Sequence, residues 1–143
     1  MGAMAVFSTR VIDHVARAAR ADPQVEICGL LLGRDDHVTE AVVARNVADD
    51  PAARFEIDPA MLIAAHRDAR AGGPEVVGWF HSHPRGDNRP SATDAAMAQP
   101  DGRLWLILGG PPDHAPALWR AVRDGPVHGR FEPVALRTDP QAA

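Results

Sequence analysis

The 143-residue sequence has a single cysteine, Cys28, and no lysine at all. One cysteine excludes an intramolecular disulfide and any zinc cluster built on thiolates. Every basic side chain is therefore an arginine or a histidine. The formal charge of −4 lacks the basic excess of a general nucleic-acid binder. Arg10, Arg17, Arg20, Arg67 and Arg70 recur on helical stretches but are interspersed with Asp13, Asp22 and Asp68, the pattern of solvated faces. No apolar run approaches the ~18 residues of a membrane span. The N-terminus also lacks the charged-then-apolar order of a secretory signal, so neither nucleic acid nor membrane is an expected partner and the cytoplasm is the expected location. Met1-Gly2-Ala3 reads as a cloning remnant ahead of a native Met4. Repeats and low-complexity tracts are missing too. The Ala- and Arg-rich composition points to a GC-rich bacterial genome.

What is present is an ordinary globular balance of 45% apolar and 24% charged residues, in a length suited to one domain. Ser8 or Thr9 can cap a first helix that carries Val11, Ile12, Val15, Ala16 and Ala19 on one side and ends near Asp22-Pro23. The run Ile27 to Gly33 is continuously apolar between turn formers, as in a strand buried on both faces. Residues His37 to Arg45 alternate loosely as a second strand, and Phe55-Glu56-Ile57 reads as a short third one. Asp58 as N-cap and Pro59 at the first helical position open a helix to about Ala71. Val76 to Phe80 is a buried strand that delivers His81 at its end. Ser91 to Ala98 is a short helix and Leu104 to Leu108 another buried strand. Residues 117–122 and 127–136 close the chain as an antiparallel pair around Asp124-Gly125-Pro126. The expected fold is α+β in one domain spanning 4–138, a mixed, mostly antiparallel sheet flanked by helices, with residues 139–143 as a flexible tail.

The chemistry concentrates between residues 81 and 94. Residues i and i+2 of a strand point to one side, so His81 and His83 can offer two imidazoles to one ion. Asp94, on the next helix, supplies a carboxylate. Two histidines and one carboxylate leave a tetrahedral position open, the layout of a hydrolytic rather than a structural zinc site. Taken alone, His-x-His followed by Asp eleven residues on recurs by chance in roughly one such chain in thirty, and Ser91-x-x-Asp94 is in itself a helix capping box. Adding Pro84, Pro90 and Ser91 in place makes coincidence rarer than about one in 10,000.

His81-Ser82-His83-Pro84 with Pro90-Ser91-x-x-Asp94 resembles the signature of the JAMM (MPN+) zinc metallopeptidases. Pro23 to Gly33, Phe55-Glu56-Ile57-Asp58-Pro59 and Gly78-Trp79-Phe80 are similar to the compact bacterial form of that family, so the resemblance spans about residues 10–136. It implies a JAMM/MPN domain of cytidine-deaminase-like architecture. His81, His83 and Asp94 would hold one catalytic Zn2+. Glu26, on an early strand, would take a proton from the attacking water and pass it to the leaving amine. Ser91 would donate a hydrogen bond to the developing oxyanion.

Other residues point elsewhere less well. Cys28 lies inside an apolar strand, where a thiol is inert packing rather than a nucleophile. His14, His37, His66, His114 and His128 read as solvated, Trp79, Trp105 and Trp119 as packing, and Asp87 as a turn residue. A metallo-β-lactamase would need an Asp and then a His where Arg85 and Gly86 stand. An amidohydrolase barrel needs about 250 residues. A zinc deaminase needs a Pro-Cys-x-x-Cys that one cysteine cannot supply. Within the superfamily, Gly86-Asp87 is also similar to RadC-like proteins. Phage-tail or cell-wall relatives and a non-catalytic MPN scaffold complete the alternatives. The resemblance implies cleavage after the C-terminal Gly-Gly tail of a ubiquitin-like or sulfur-carrier protein. The short Asp94-to-strand connection suggests recognition of the extended tail, laid along a free strand edge near the site.

Overall fold

A computed structural model describes residues 3–140, in the order β1 (Met4–Ser8), α1 (Thr9–Ala21), β2 (Cys28–Arg34), β3 (His37–Ala44), α2 (Pro59–Arg70), β4 (Glu75–Ser82), α3 (Ala92–Met97), β5 (Leu104–Leu108), β6 (Pro116–Gly125) and β7 (Gly129–Asp139). The seven strands form one mixed sheet in the order β1-β3-β2-β4-β5-β6-β7, and β1 pairs with β7 to close it into a barrel. Antiparallel pairing joins β2 to β3 and β4, and β6 to β5 and β7. The other three junctions, β1-β3, β1-β7 and β4-β5, are parallel. The parallel β4-β5 step sets the C-terminal ends of both strands side by side, and the turn after β4 opens there. Helices expected from Ser8, Asp58-Pro59 and Ser91 all form.

Closure depends on β1, a strand that no expected element covers. It is only five residues long, but Ala5 and Phe7 alternate inward and are fully buried. Its partners lie in distant parts of the chain, Val38 on one side and Ala135 to Asp139 on the other. The expected strand at Phe55-Ile57 is instead irregular chain with one isolated bridge between Ile57 and Asn46. β1 pairs with β3 only at His37 and Val38, so among the described residues the outer edge of β3 beyond Val38 has no strand neighbour. β7 continues to Asp139, opposite Ser8, whereas Met1, Gly2 and residues 141–143 of the expected termini lie outside the described residues.

Two apolar clusters share the strands by alternation. Leu104, Leu106 and Leu108 of β5 join Phe7, Val11, Val15 and Phe80 under α1. Trp105 and Ile107 face the other way, onto Cys28, Phe55, Trp119 and Phe131. The second cluster forms the floor beneath the 81–94 segment. At Gly29 of β2 an added Cβ would come within 2.1 Å of the Val42 carbonyl oxygen and 2.3 Å of the Phe80 ring, so β2 can lie this close to its neighbours only with glycine. No helix among the described residues is long and apolar enough to cross a membrane.

Candidate metal centre

β4 runs two residues further than expected, through Ser82, so His81 is delivered from inside the strand and His83 from just beyond it. His83 still follows the sheet, its N–H donating to the Leu108 carbonyl at 2.8 Å. The two side chains project to the same side, and their Nε2 atoms lie 3.1 Å apart. Asp94 comes from the first turn of α3. Its Oδ1 lies 3.1 Å from Nε2 of His81 and its Oδ2 3.1 Å from Nε2 of His83. One ligand atom from each of the three residues thus lies within 4.8 Å of the others, close enough for a single ion to be shared by two imidazoles and a carboxylate, the donor types that zinc takes. Among the described residues this is the group of His and carboxylate side chains close enough to share a metal ion.

The local sequence explains how each donor is aimed. Ser91 Oγ accepts from the Asp94 N–H at 3.0 Å, and the Ser91 N–H donates to Asp94 Oδ2 at 2.9 Å. This is the capping box anticipated from Ser91-x-x-Asp94, and it locks the carboxylate rotamer. The carbonyl of Asp87 lies 2.7 Å from Nδ1 of His83, so that nitrogen carries the proton and Nε2 keeps its lone pair for a cation. The Asp87 side chain meanwhile accepts from the Arg89 N–H at 3.0 Å, the turn role expected of it. The His81 ring is fully buried, stacked on Phe55 at 4.4 Å with Trp105 edge-on at 5.7 Å, and its Nδ1 has no hydrogen-bond partner.

Charge within this pocket is held in a fixed pattern. Burial opposes ionisation of Asp94, but its close contacts with the His81 and His83 rings outweigh it and hold the carboxyl well below its usual range. Burial lowers the basicity of His81. His83 is also partly desolvated, yet its contacts with Asp94 and the Asp87 carbonyl raise it.

Glu26 does not sit on a strand, as the sequence reading had it, but two residues ahead of β2. Its neighbour Ile27 exchanges bonds with Ser82: the Ile27 N–H donates to Ser82 Oγ and the Ser82 N–H to the Ile27 carbonyl, both at 3.0 Å. That clasp brings residue 26 beside the 81–83 segment across fifty-five residues of sequence. The Glu26 carboxyl is 6% exposed, and its Oε1 has no hydrogen-bond partner. Burial first, then the Asp94 charge, push it up to about 7, with His83 acting in the opposite sense. Glu26, His83 and Ser91 line one open cleft of about 350 Å³, together with Ala52, Ala53 and Arg85.

The remaining expectations divide. Cys28 is fully buried, and desolvation followed by the nearby Glu26 pushes its thiol up to about 12, so no thiolate forms near neutral pH. Trp105 and Trp119 are buried packing, while Trp79 is half-buried under the Arg103 guanidinium. His114 is not solvated: a left-handed backbone (φ 48°) turns its ring inward, with Nδ1 3.2 Å from the Gly109 carbonyl. Phe55, Ser82 and Asn46 support the site; the first two stand in the matching motif segments without an expected role, and Asn46 in none. Their only local signal was a polar or aromatic residue placed beside a strand end.

Comparison with known proteins gives a consistent picture. Residues 8–123 match the family model described as prokaryotic homologs of the JAB domain. A desampylase of Haloferax volcanii is 37% identical over 99 residues, covering 68% of this chain and 71% of the relative. A desampylase of Pyrococcus furiosus is 35% identical over 106 residues, covering 71% and 75%. Among solved structures, a protein from Desulfitobacterium hafniense superposes with a TM-score of 0.82 at 26% identity, over 96% of this chain and 94% of the other. A JAB1/MPN domain protein from Archaeoglobus fulgidus shares the fold, with a TM-score of 0.61 at 19% identity, over 97% and 100%.

Proposed function

Because this chain belongs to the JAMM/MPN family, among its prokaryotic JAB-domain homologs, we propose that it is a zinc-dependent isopeptidase. In this reading it cuts the bond after the C-terminal Gly-Gly tail of a ubiquitin-like or sulfur-carrier protein. The observation that carries the reading is the convergence of His81, His83 and Asp94 beside a buried, unpartnered Glu26 carboxyl. The two desampylase relatives support hydrolysis of a ubiquitin-like conjugate.

His81, His83 and Asp94 are the ligands in this proposal, and their donor set of two imidazoles and one carboxylate suits zinc with a position left open. Zinc held there supplies Lewis acidity, lowering the pKa of water toward ~7 and polarising the scissile carbonyl. Glu26 takes up the proton released as water attacks and delivers it to the departing amine. A carboxyl raised to about 7 is suited to both transfers near neutral pH. Ser91 accepts the Asp94 N–H through its oxygen, which leaves its own proton free to donate to the developing oxyanion. The Asp94 carboxylate stays ionised throughout, and His83 keeps its proton on Nδ1 under the Asp87 carbonyl.

The test is a ubiquitin-like domain fused through its Gly-Gly tail to an amine reporter. Zinc-replete protein should release the reporter, Glu26→Gln should do so about 10²- to 10⁴-fold more slowly, and His83→Ala should not release it. A chelated sample should recover on adding zinc. Failure of zinc-replete protein to cut a panel of such fusions would exclude this substrate class.

A further inference from the structure

We propose that Asn46 is a positioning residue whose single side-chain amide sets where Glu26 and the facing loop stand; the inference rests on the role given to Glu26 above. Asn46 lies two residues past β3, half-buried. Its Nδ2 donates to the carbonyls of Glu26 at 2.9 Å and Arg54 at 3.0 Å, with that of Pro51 at 3.4 Å. Its Oδ1 accepts from the N–H groups of Ala48 at 3.0 Å and Glu56 at 3.1 Å. A carboxamide has two donor hydrogens and two acceptor sites. All are engaged, and every partner is main chain.

The consequence is particular to Glu26. Standing ahead of β2, it is outside the sheet ladder, and both of its backbone groups turn to this loop: its N–H donates to the Pro51 carbonyl at 2.7 Å, and its carbonyl accepts from Asn46. The same loop contributes Ala52 and Ala53 to the cleft wall. It also carries Phe55, whose ring stacks on His81. One amide therefore sets the distance between the base, the wall opposite it and the aromatic support of a metal ligand. Aspartate has the same shape but no N–H, so it would present lone pairs to three carbonyls. Serine has one donor, and glutamine is a methylene too long for the same five contacts. Asn46 is not among the residues lining the cleft, so it acts on the site through the main chain that it holds, that of Glu26 first.

The experiment compares Asn46→Asp and Asn46→Ala with wild type, alone and combined with Glu26→Gln. Backbone amide exchange is measured on the same zinc-loaded proteins. Asn46→Asp should lower kcat about 10- to 100-fold with KM changed less than about threefold, the scale of a sub-ångström misplacement of a reacting group. Combined with Glu26→Gln it should cost less than about twofold more, since residues acting as a unit are not additive. The Glu26 amide should exchange at least about tenfold faster in Asn46→Ala while amides of β5 keep their protection. An unchanged Glu26 amide, or losses that multiply in the double variant, would overturn the proposal. So would activity loss that follows only falling melting temperature or zinc content. Full cleavage by Glu26→Gln would instead remove the role of Glu26 itself, and the exchange result separates that failure from this one.

Discussion

The main-chain carbonyl of Asp87 lies 2.7 Å from Nδ1 of His83, and a carbonyl, having no proton, can only accept from it, so Nε2, facing Asp94 and His81, is the ring nitrogen left for a cation. The interaction belongs to the backbone, so the side chain of residue 87 matters less than the path of the loop. Asp87→Ala should change zinc affinity less than about threefold.

Gly110 controls that path from another part of the chain. Its N–H donates to the Gly86 carbonyl at 3.0 Å, and an added Cβ would meet the Pro84 carbonyl oxygen at 2.7 Å. Gly110→Ala must displace the 84–87 turn and with it the Asp87 carbonyl. Isothermal titration with zinc should show affinity weakened about 10- to 100-fold, the range for loss of an outer hydrogen bond to a metal ligand. Unaltered affinity would mean that the turn does not orient His83.

A third prediction concerns the metal and the fold together. His81 and Asp94 are almost wholly buried, and each presents polar atoms that a cation would satisfy. Zinc at about a thousand times its Kd should add about 4 kcal/mol of stability by mass action. For a chain of this size that is on the order of 10 °C in Tm. Chelator should remove the increment from wild type and leave His83→Ala and Asp94→Asn unchanged. A chelator-insensitive wild-type Tm would argue against a metal in this pocket.

How much of this was legible beforehand depends on how local each cause is. His81, His83, Ser91 and Asp94 fall within fourteen residues, and their geometry follows from strand alternation and one capping box, both short-range rules. The Asp58-Pro59 helix start was readable for the same reason: the Asp58 side chain accepts from the Ala60 N–H at 3.0 Å. β1 was not, because five residues gain their structure from partners 31 and 131 positions away, as in Phe7 with Val38 and Met4 with Ala135. Glu26 was reached by resemblance and not by pattern. Its placement comes from the Ile27–Ser82 clasp and the Asn46 amide, contacts no periodicity encodes. The demand for glycine at position 29 likewise becomes visible only with Val42 and Phe80 in place.

Ser91 carries two separable duties, and one substitution should reveal both. Ser91→Ala removes the acceptor for the Asp94 N–H, costing about 1 kcal/mol of stability in denaturant unfolding. It also removes the proposed oxyanion donor, for which kcat should fall about 10²- to 10³-fold. Ser91→Asn, a comparable N-cap, should restore most of the stability. If stability falls in Ser91→Ala but kcat does not, the residue is a cap alone.

The last prediction follows from the Glu26 carboxyl being raised from 4.5 to about 7 by burial and by Asp94. In metal-free protein the folded state holds this proton over a range where the unfolded chain has released it. The resulting contribution is fully present below pH ~4.5 and is lost as pH rises through ~7, where folding must bury the charge. A shift of this size corresponds to at most about 3 kcal/mol, at 1.36 kcal/mol per pH unit. Other groups run the opposite way: Asp94, held below its usual range, weakens the fold only in strong acid. The difference between wild type and Glu26→Gln reports Glu26 together with its coupling to His83, while Asp94 and His81 are common to the two. Urea unfolding of the chelated proteins should give similar stabilities near pH 4.5. Glu26→Gln should then become the more stable by about 2–3 kcal/mol at pH 8. A constant difference across that range would mean that the carboxyl is solvated in the metal-free protein and carries no burial cost.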